Sequence, residues 1–255
     1  MCTLIVAFHL FEGFPIVVAA NRDELLDRSS EKPQIHHRGH LVLSPIDLVR
    51  GGTWIGVNEY GVLAALTNRL DIKSESGRMS RGMIVADALK YQAASQAFFN
   101  IGKLNGGKLN GFNMIIADQS AMFLLRGDGN SIKHFVERSG LLVVTNHGVG
   151  RETDPYVPRR VENIFSMWES EKIVGCKPSP ESLSALLNIH DEERHGTCIN
   201  EPDNNYGTKS SSIIRLKTVA DSNEWHYWHR ERTSPGNHIC DDLFDQMIKL
   251  PIRNL

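Results

Sequence analysis

A cysteine follows the first methionine directly: the chain opens Met1-Cys2-Thr3. Aminopeptidases remove an initiator Met ahead of small residues, and Cys2 would then carry a thiol and a free α-amine together. A thiol titrates near about 8.5 and an α-amine near about 7.7–8, so around pH 7 the amine is partly neutral and can accept the thiol proton directly or through a water. Nucleophile and base then come from one residue, an established way of activating Ser, Thr or Cys. A thiolate of this kind attacks a carbonyl carbon, and the reaction needs donors where the oxyanion develops and charged groups that orient the amine. The bland alternative is that Cys2 is a small apolar residue opening a core strand.

Charged groups come from "AANRDEL", where polar residues end an apolar run. A short loop links this run to the one that starts after Cys2. Arg22 and Asp23 therefore return to the start of the first strand. Asn68 and Asn146 each close an apolar run with Thr-Asn. Either asparagine alone reads as a strand-ending turn residue; in company with Cys2 they become candidates for a shared site.

The elements that must position these residues are mostly strands. "TLIVAFH" and "FPIVVAAN" are β-rich runs joined by "LFEG", and both are apolar on two faces, as in strands covered on both sides. "GGTWIGVNEYGVLAALTN" reads as a second hairpin with turn chemistry at Asn58 and Gly61. The spacing predicts one helix over "SRGMIVADALKYQAASQAFF" with Ser80 as its cap, and Arg81 belongs to that capping sequence. Strands are expected at "FNMIIAD", "AMFLLRG", "SIKHFV" and "GLLVVTN", helices from about Pro158 through Trp168 and at "SPESLSALLNI", and a closing hairpin at "SSIIRLKT" and "EWHYWHRE". The tail "CDDLFDQMIKL" is assigned a short terminal helix. This order lacks the βαβ alternation of a parallel sheet. It predicts an α+β fold, a four-layer α/β/β/α sandwich of antiparallel sheets, in a single domain over residues 1–255.

"MCTLIVAF", "AANRDE", "RGGTWIGVNEYGVLAALTN", "SRG", "VVTN" and "YGTKSS" occur in that order, and together they resemble the NRDE family, named for the motif seen here as Asn21-Arg22-Asp23-Glu24. The family includes the eukaryotic transport and Golgi organisation homologues. The resemblance runs to about residue 216 and implies the fold of N-terminal nucleophile hydrolases. A more distant similarity to choloylglycine hydrolases and penicillin V acylases implies roles. Asn68 would donate to the oxyanion, Asn146 would match their later Thr-Asn strand end, and Asp23 would hold the amine. An arginine near the nucleophile would be Arg159, with Arg160 as the alternative. Those acylases carry an arginine where this chain has Ala20, and here the guanidinium is displaced to Arg22, so their substrates do not transfer. The implied function is hydrolysis of a linear, non-peptide amide through a Cys2 thioester. The alternative is a non-catalytic carrier for haem or lipid, linked to secretory organisation in eukaryotic relatives.

The remaining features set limits. Over 255 residues the formal net charge is −2, which argues against nucleic-acid or anionic-membrane partners. The expected partner is a small-molecule amide or a hydrophobic ligand, and the sequence carries no signal for an oligomeric state. There is no transmembrane run and no signal peptide, so a cytoplasmic location is expected. The four cysteines are too few and too scattered for a disulfide scaffold and are expected to be free thiols. In "HDEERHGTC", His190, His195 and Cys198 raise a zinc site, but their spacing matches no closed four-ligand pattern, and no metal or cofactor is expected. "EWHYWH" alternates aromatics and His as a base-stacking platform would, yet a solvated strand at a sheet edge is the plainer reading. Lys209 or Ser210 in "YGTKSS" would line a pocket, whereas His36, His37 and His40 are assigned to a polar loop.

Overall fold

The computed structural model describes residues 2–37, 39–151, 154, 158–175, 177–191, 195–219, 222–233 and 238–253. Its elements in chain order begin with β1 (Thr3–Phe11), β2 (Phe14–Leu25), β3 (Ser30–His37), β4 (Leu41–Asp47), β5 (Ile55–Asn58) and β6 (Leu63–Asn68). Helices α1 (Arg81–Ala88) and α2 (Ala94–Gly102) come next, then β7 (Phe112–Ala117), β8 (Met122–Gly127), β9 (Ile132–Glu137), β10 (Gly140–Thr145) and β11 (Val149–Arg151). The chain finishes with α3 (Arg159–Ser170), α4 (Pro180–Leu187), β12 (Asn200–Glu201), β13 (Tyr206–Val219), β14 (Ser222–Glu231) and β15 (Ile248–Pro251). One sheet has the order β11-β10-β1-β2-β13-β14-β15, with β12 paired to β13; the other has the order β3-β4-β5-β6-β7-β8-β9.

Contacts gather the chain into two compact units. The first comprises Met1–Arg28, Ser139–Lys217 and His226–Ile248; the second comprises Ser29–Arg138, Thr218–Trp225 and Lys249–Leu255. In the first unit, β1 lies antiparallel between β2 and β10. Alternation along the strands sends Ile5, Ala7, Val17, Ala19, Val143 and Ile213 to the face covered by α3 and α4. Val161, Ile164 and Trp168 supply the apolar stripe of α3, and Leu183, Leu186 and Leu187 that of α4. The opposite face, with Leu4, Val6, Ile16, Val18 and Val144, is also at most 2% exposed, as the two-sided apolar pattern requires. Each such side chain contributes roughly 1.5–3 kcal/mol by leaving water. In the second unit, α1 and α2 cover Ala64, Leu66, Met114, Ile116 and Leu125 with Ile84, Val85, Ala88, Ala97 and Ile101.

Four local expectations are corrected. The single helix over residues 80–99 is two. The Asn58 amide donates to Leu89 O at 2.9 Å and Tyr91 O at 2.8 Å, which turns the backbone, and the Asp118 carboxylate accepts from Ala94 N at 2.8 Å, which starts α2 afresh. His36 and His37 lie on strand β3, not in a polar loop, and His40, just before β4, is buried with Nε2 2.7 Å from Leu89 O. The "EWHYWH" strand is not solvated: β14 lies between β13 and β15, and Trp225 and Tyr227 are fully buried. The tail forms a short 3₁₀ turn at Ile239–Asp241 and then β15, because pairing along β14 overrides a weak helical spacing.

Candidate active site

Strand register brings the sequence candidates of the first unit together. Thr3 pairs with Asn21 on β2 and with Thr145 on β10, and Asn21 and Arg22 pair with Ser211 and Ser210 on β13. Continued by one position, this register sets Cys2 between Arg22 and Asn146, so that Asn146, Cys2, Arg22 and Ser210 form one row across the sheet. Directly opposed residues share a face, and adjacent residues take opposite faces. Arg22 and Ser210 therefore point away from the face to which Thr3, Asn21 and Ser211 belong, the face covered by α3 and α4, whereas Cys2 and Asn146 stand just beyond the paired ladder and the Cys2 thiol also feels Asp23, Arg160 and Tyr206 of that helix face.

Each member of the row is held locally. Thr145 makes a tight turn after β10: its hydroxyl accepts from His147 N and Gly148 N, both at 3.2 Å, and its N–H donates to Gly148 O at 2.8 Å. Asn146 is buried within that turn at 2% exposure. Arg22 is also buried. Ser210 is buried, and its hydroxyl has no hydrogen-bond partner among the described residues. Cys2 is half-buried, and its Sγ–H is directed at Asp23 O, 3.7 Å away. Burial raises the Cys2 thiol above its ordinary range; the Asp23 charge adds to this and the Arg22 guanidinium opposes it.

Behind the row, on the helix face, lies a buried charge network. Asp23 is inaccessible; its Oδ1 accepts from the Thr208 hydroxyl at 2.6 Å, and its Oδ2 is 3.7 Å from Arg160 Nη1. Arg160 also donates to the Thr3 hydroxyl at 3.2 Å. Burial lowers the Arg160 pKa, and Asp23 opposes that shift. The Thr208 hydroxyl also accepts from Ile199 N at 2.8 Å, and its donation to Asp23 at 2.6 Å is much shorter than its 3.5 Å approach to Thr197 O. A bulge at Lys209 keeps both Thr208 and Ser210 in register with β2. Tyr206 is held in its protonated form by burial, reinforced by the Asp23 charge.

The two arginines that open α3 separate by helical phase. Arg160 lies one turn before Ile164 and faces the sheet, whereas Arg159 is exposed. The arginine placed beside Asp23 and Thr3 is therefore Arg160, and Arg159 is not brought to this cluster. Asn68 belongs to the second unit, where it ends β6 opposite Phe112. Lys209 Nζ donates to Leu26 O at 2.8 Å, which ties down the bulge. Asn21 is structural: its amide donates to Leu187 O and Thr197 O at 2.8 Å each, and its Oδ1 accepts from Ser211 at 2.7 Å. Thr3, Thr208 and Tyr206 were not singled out from sequence. Their signals are strand register, which sets Thr3 opposite Asn21 and Thr208 opposite Asp23, and, for Tyr206 and Thr208, membership of the "YGTKSS" motif.

A family model described as transport and Golgi organisation 2 matches residues 1–233. The chain belongs to that family. Among curated members, the Bos taurus transport and Golgi organization protein 2 homolog is 36% identical over 112 residues, 43% of this chain and 41% of the relative. The Homo sapiens homolog is 34% identical over 111 residues, 42% and 40% respectively. The matched stretch thus spans about two fifths of each relative's length. Among solved structures, the Caenorhabditis elegans N-acylethanolamine-hydrolyzing acid amidase ortholog superposes with TM-score 0.57 at 15% identity, covering 84% of this chain and 92% of that one. A variant of the conjugated bile acid hydrolase from Clostridium perfringens gives 0.50 at 11% identity, covering 98% and 92%. These likenesses show the fold: the family member described here has the antiparallel α+β sandwich of N-terminal nucleophile hydrolases. Among the described residues no helix is long and apolar enough to cross a membrane.

Proposed function

We propose that the chain is an amidohydrolase that cleaves a linear, non-peptide amide through Cys2. The observation that carries this reading is the row Asn146–Cys2–Arg22–Ser210, with the Asp23–Arg160 network behind it. With Met1 removed, the Cys2 α-amine takes the thiol proton and Sγ attacks the amide carbon. Arg22 and Asp23 orient the amine and favour the charges that form. Asn146 is the donor beside the nucleophile. The leaving amine departs with the proton, and water then hydrolyses the thioester, releasing the acid and restoring the thiol. The role of Asn68 rests on the family resemblance, and Asn68→Ala tests it. The N-acylethanolamines and conjugated bile acids for which those two neighbours are named are the first substrates to try.

A carrier reading has its own support. Burial holds the Cys2 thiol protonated, and the curated relatives are named for transport rather than catalysis. The experiment is mass spectrometry of the N-terminus of the protein from its natural source, followed by turnover of N-acyl amines by the wild type and Cys2→Ala. Catalysis predicts a chain lacking Met1, thiol-dependent release of the amine, and an acyl adduct on Cys2. A retained Met1 would sink the mechanism, because the base would be a peptide nitrogen. Ligand binding and cellular function unchanged in Cys2→Ala favour the carrier.

A further inference from the structure

Away from the Cys2 row, four side chains of the first unit converge with metal-ligand chemistry: His190, Cys198, His238 and Cys240. Each offers one ligand atom, and these atoms all lie within 4.8 Å of one another. We propose that this cluster is a structural zinc site of the Cys2His2 type. A tetrahedral zinc with Zn–S about 2.3 Å and Zn–N about 2.0–2.1 Å places its ligand atoms about 3.3–3.8 Å apart. Cys240 Sγ and His190 Nε2 are already 3.3 Å apart, so the set needs a closure of about 1 Å at its widest. Two thiolates and two imidazoles form a borderline-soft donor set, which suits zinc rather than calcium or magnesium. Four protein ligands leave no open position, so the site would hold the fold rather than carry out a reaction.

The backbone is built to bring the ligands together. Ile189 O accepts from Thr197 N at 2.8 Å and from Cys198 N at 3.0 Å, which closes the loop at its neck and sets His190 beside Cys198. Thr197 Oγ1 reinforces the neck by donating to Leu186 O at 2.8 Å and accepting from Ile189 N at 3.1 Å. A Cβ at Gly196 would stand 2.3 Å from Ile189 O, so only glycine permits this closure. The second pair comes from a 3₁₀ turn in which buried Ile239 anchors the chain between His238 and Cys240. The His190 and His238 rings meet edge to face with centroids 5.2 Å apart.

One atom points to a ligand directly. His238 Nδ1 is buried and has no hydrogen-bond partner among the described residues, while Nε2 of the same ring is 3.0 Å from Asn200 Nδ2. A buried imidazole nitrogen left without a partner is costly unless something binds it. An imidazole whose second nitrogen is held by a polar neighbour is the usual arrangement of a metal ligand. The loop bearing His190 and Cys198 shows only half of the set in sequence. The other half is His238-x-Cys240, with Cys240 fifty positions beyond His190. His238 and Cys240 also lie past residue 233, where the family match ends, so the site is not a property of the matched region.

The test uses the full chain purified from zinc-replete cells without chelator. Metal analysis should give about one zinc per chain, and replacement by Co²⁺ should give the visible bands of a tetrahedral ion with thiolate-to-cobalt absorption in the near ultraviolet. Cys198→Ser and Cys240→Ser should each lose the metal, whereas His195→Ala, in the same loop but outside the set, should keep it. The wild-type stoichiometry and cobalt spectrum stand even where a ligand variant fails to fold. A folded wild-type chain with no zinc and no thiolate–cobalt band would overturn the proposal. So would a Cys198–Cys240 disulfide found by alkylation and mass spectrometry of the protein as isolated.

Discussion

Arg160→Met is the perturbation that bears most directly on the buried network. The Arg160 and Asp23 side chains are 6% and 0% exposed, with Nη1 and Oδ2 3.7 Å apart. Two unit charges near 4 Å attract by about 4 kcal/mol at an effective dielectric of about 20, and desolvation offsets much of that in the intact pair. Removing only the cation is different, because it leaves the Asp23 carboxylate sealed from water with the Thr208 hydroxyl still donating. Breaking a buried pair this way costs about 3–5 kcal/mol. Methionine fills similar volume, so little of the loss comes from a cavity. Arg159→Met, on the exposed side of the same turn, should change stability by no more than about 0.5 kcal/mol. If the cost is the orphaned charge, Asp23→Asn in the Arg160→Met background should recover about 2 kcal/mol or more. Reversible urea unfolding followed by tryptophan fluorescence measures all four. A loss below about 1 kcal/mol for Arg160→Met, or strict additivity with Asp23→Asn, would refute the reasoning.

Two more outcomes follow from burial and backbone geometry. Cys2, Tyr206 and Tyr227 all have folded pKa values raised by burial. Their stabilising contribution is full below the unfolded values of about 8.5 for Cys and about 10 for Tyr, and it is lost as pH climbs toward the folded ones. Unfolding free energy should therefore fall above about pH 8.5 and more steeply above about pH 10, with Tyr227→Phe flattening the upper part; a curve level from pH 8 to 11 would contradict this. Gly52 has φ +76°, and a Cβ there would meet Gly82 C at 2.4 Å, whereas Gly77 has φ +81° and open space. Gly77→Ala should cost about 1 kcal/mol of backbone strain, and Gly52→Ala clearly more because the clash is with backbone. Equal melting shifts for the two variants would be the contrary result.

The opening hairpin was legible because its strands are near-continuous apolar runs, as in strands covered on both faces, and their short loop fixes the register. From that register, Arg22 and Asp23 beside Cys2 followed without knowledge of any other element. Asn146 was visible only as a strand-ending Thr-Asn; its place next to Cys2 depends on β10 pairing with β1, a long-range choice that no local signal encodes. Arg159 and Arg160 could not be separated by family alignment alone, since the choice turns on helical phase against Ile164 and Trp168. Strands β3 and β4 were missed because Pro33 and a run of polar residues interrupt the apolar pattern of β3, which the edge of the sheet tolerates. The break between α1 and α2 was hidden because its causes, Asn58 and Asp118, lie far away in sequence. Cys240 was invisible as a partner of His190 for the same reason.

The order of strands in the first sheet bears on how the chain is made. β1 and β2 leave the ribosome before the other strands described here, and their outer partners, β10 and β13, begin only at Gly140 and Tyr206. In between, β3 through β9 pair with sequential neighbours and can zip up as they emerge. The opening hairpin therefore waits with both edges unpaired while the other sheet completes, which is the interval of greatest exposure to aggregation and of greatest need for chaperones. Over the same interval Cys2 is not yet flanked by the end of β10. Cotranslational trimming of Met1, on which the proposed use of the Cys2 amine depends, has its opportunity then, before β10 arrives to bring Asn146 alongside.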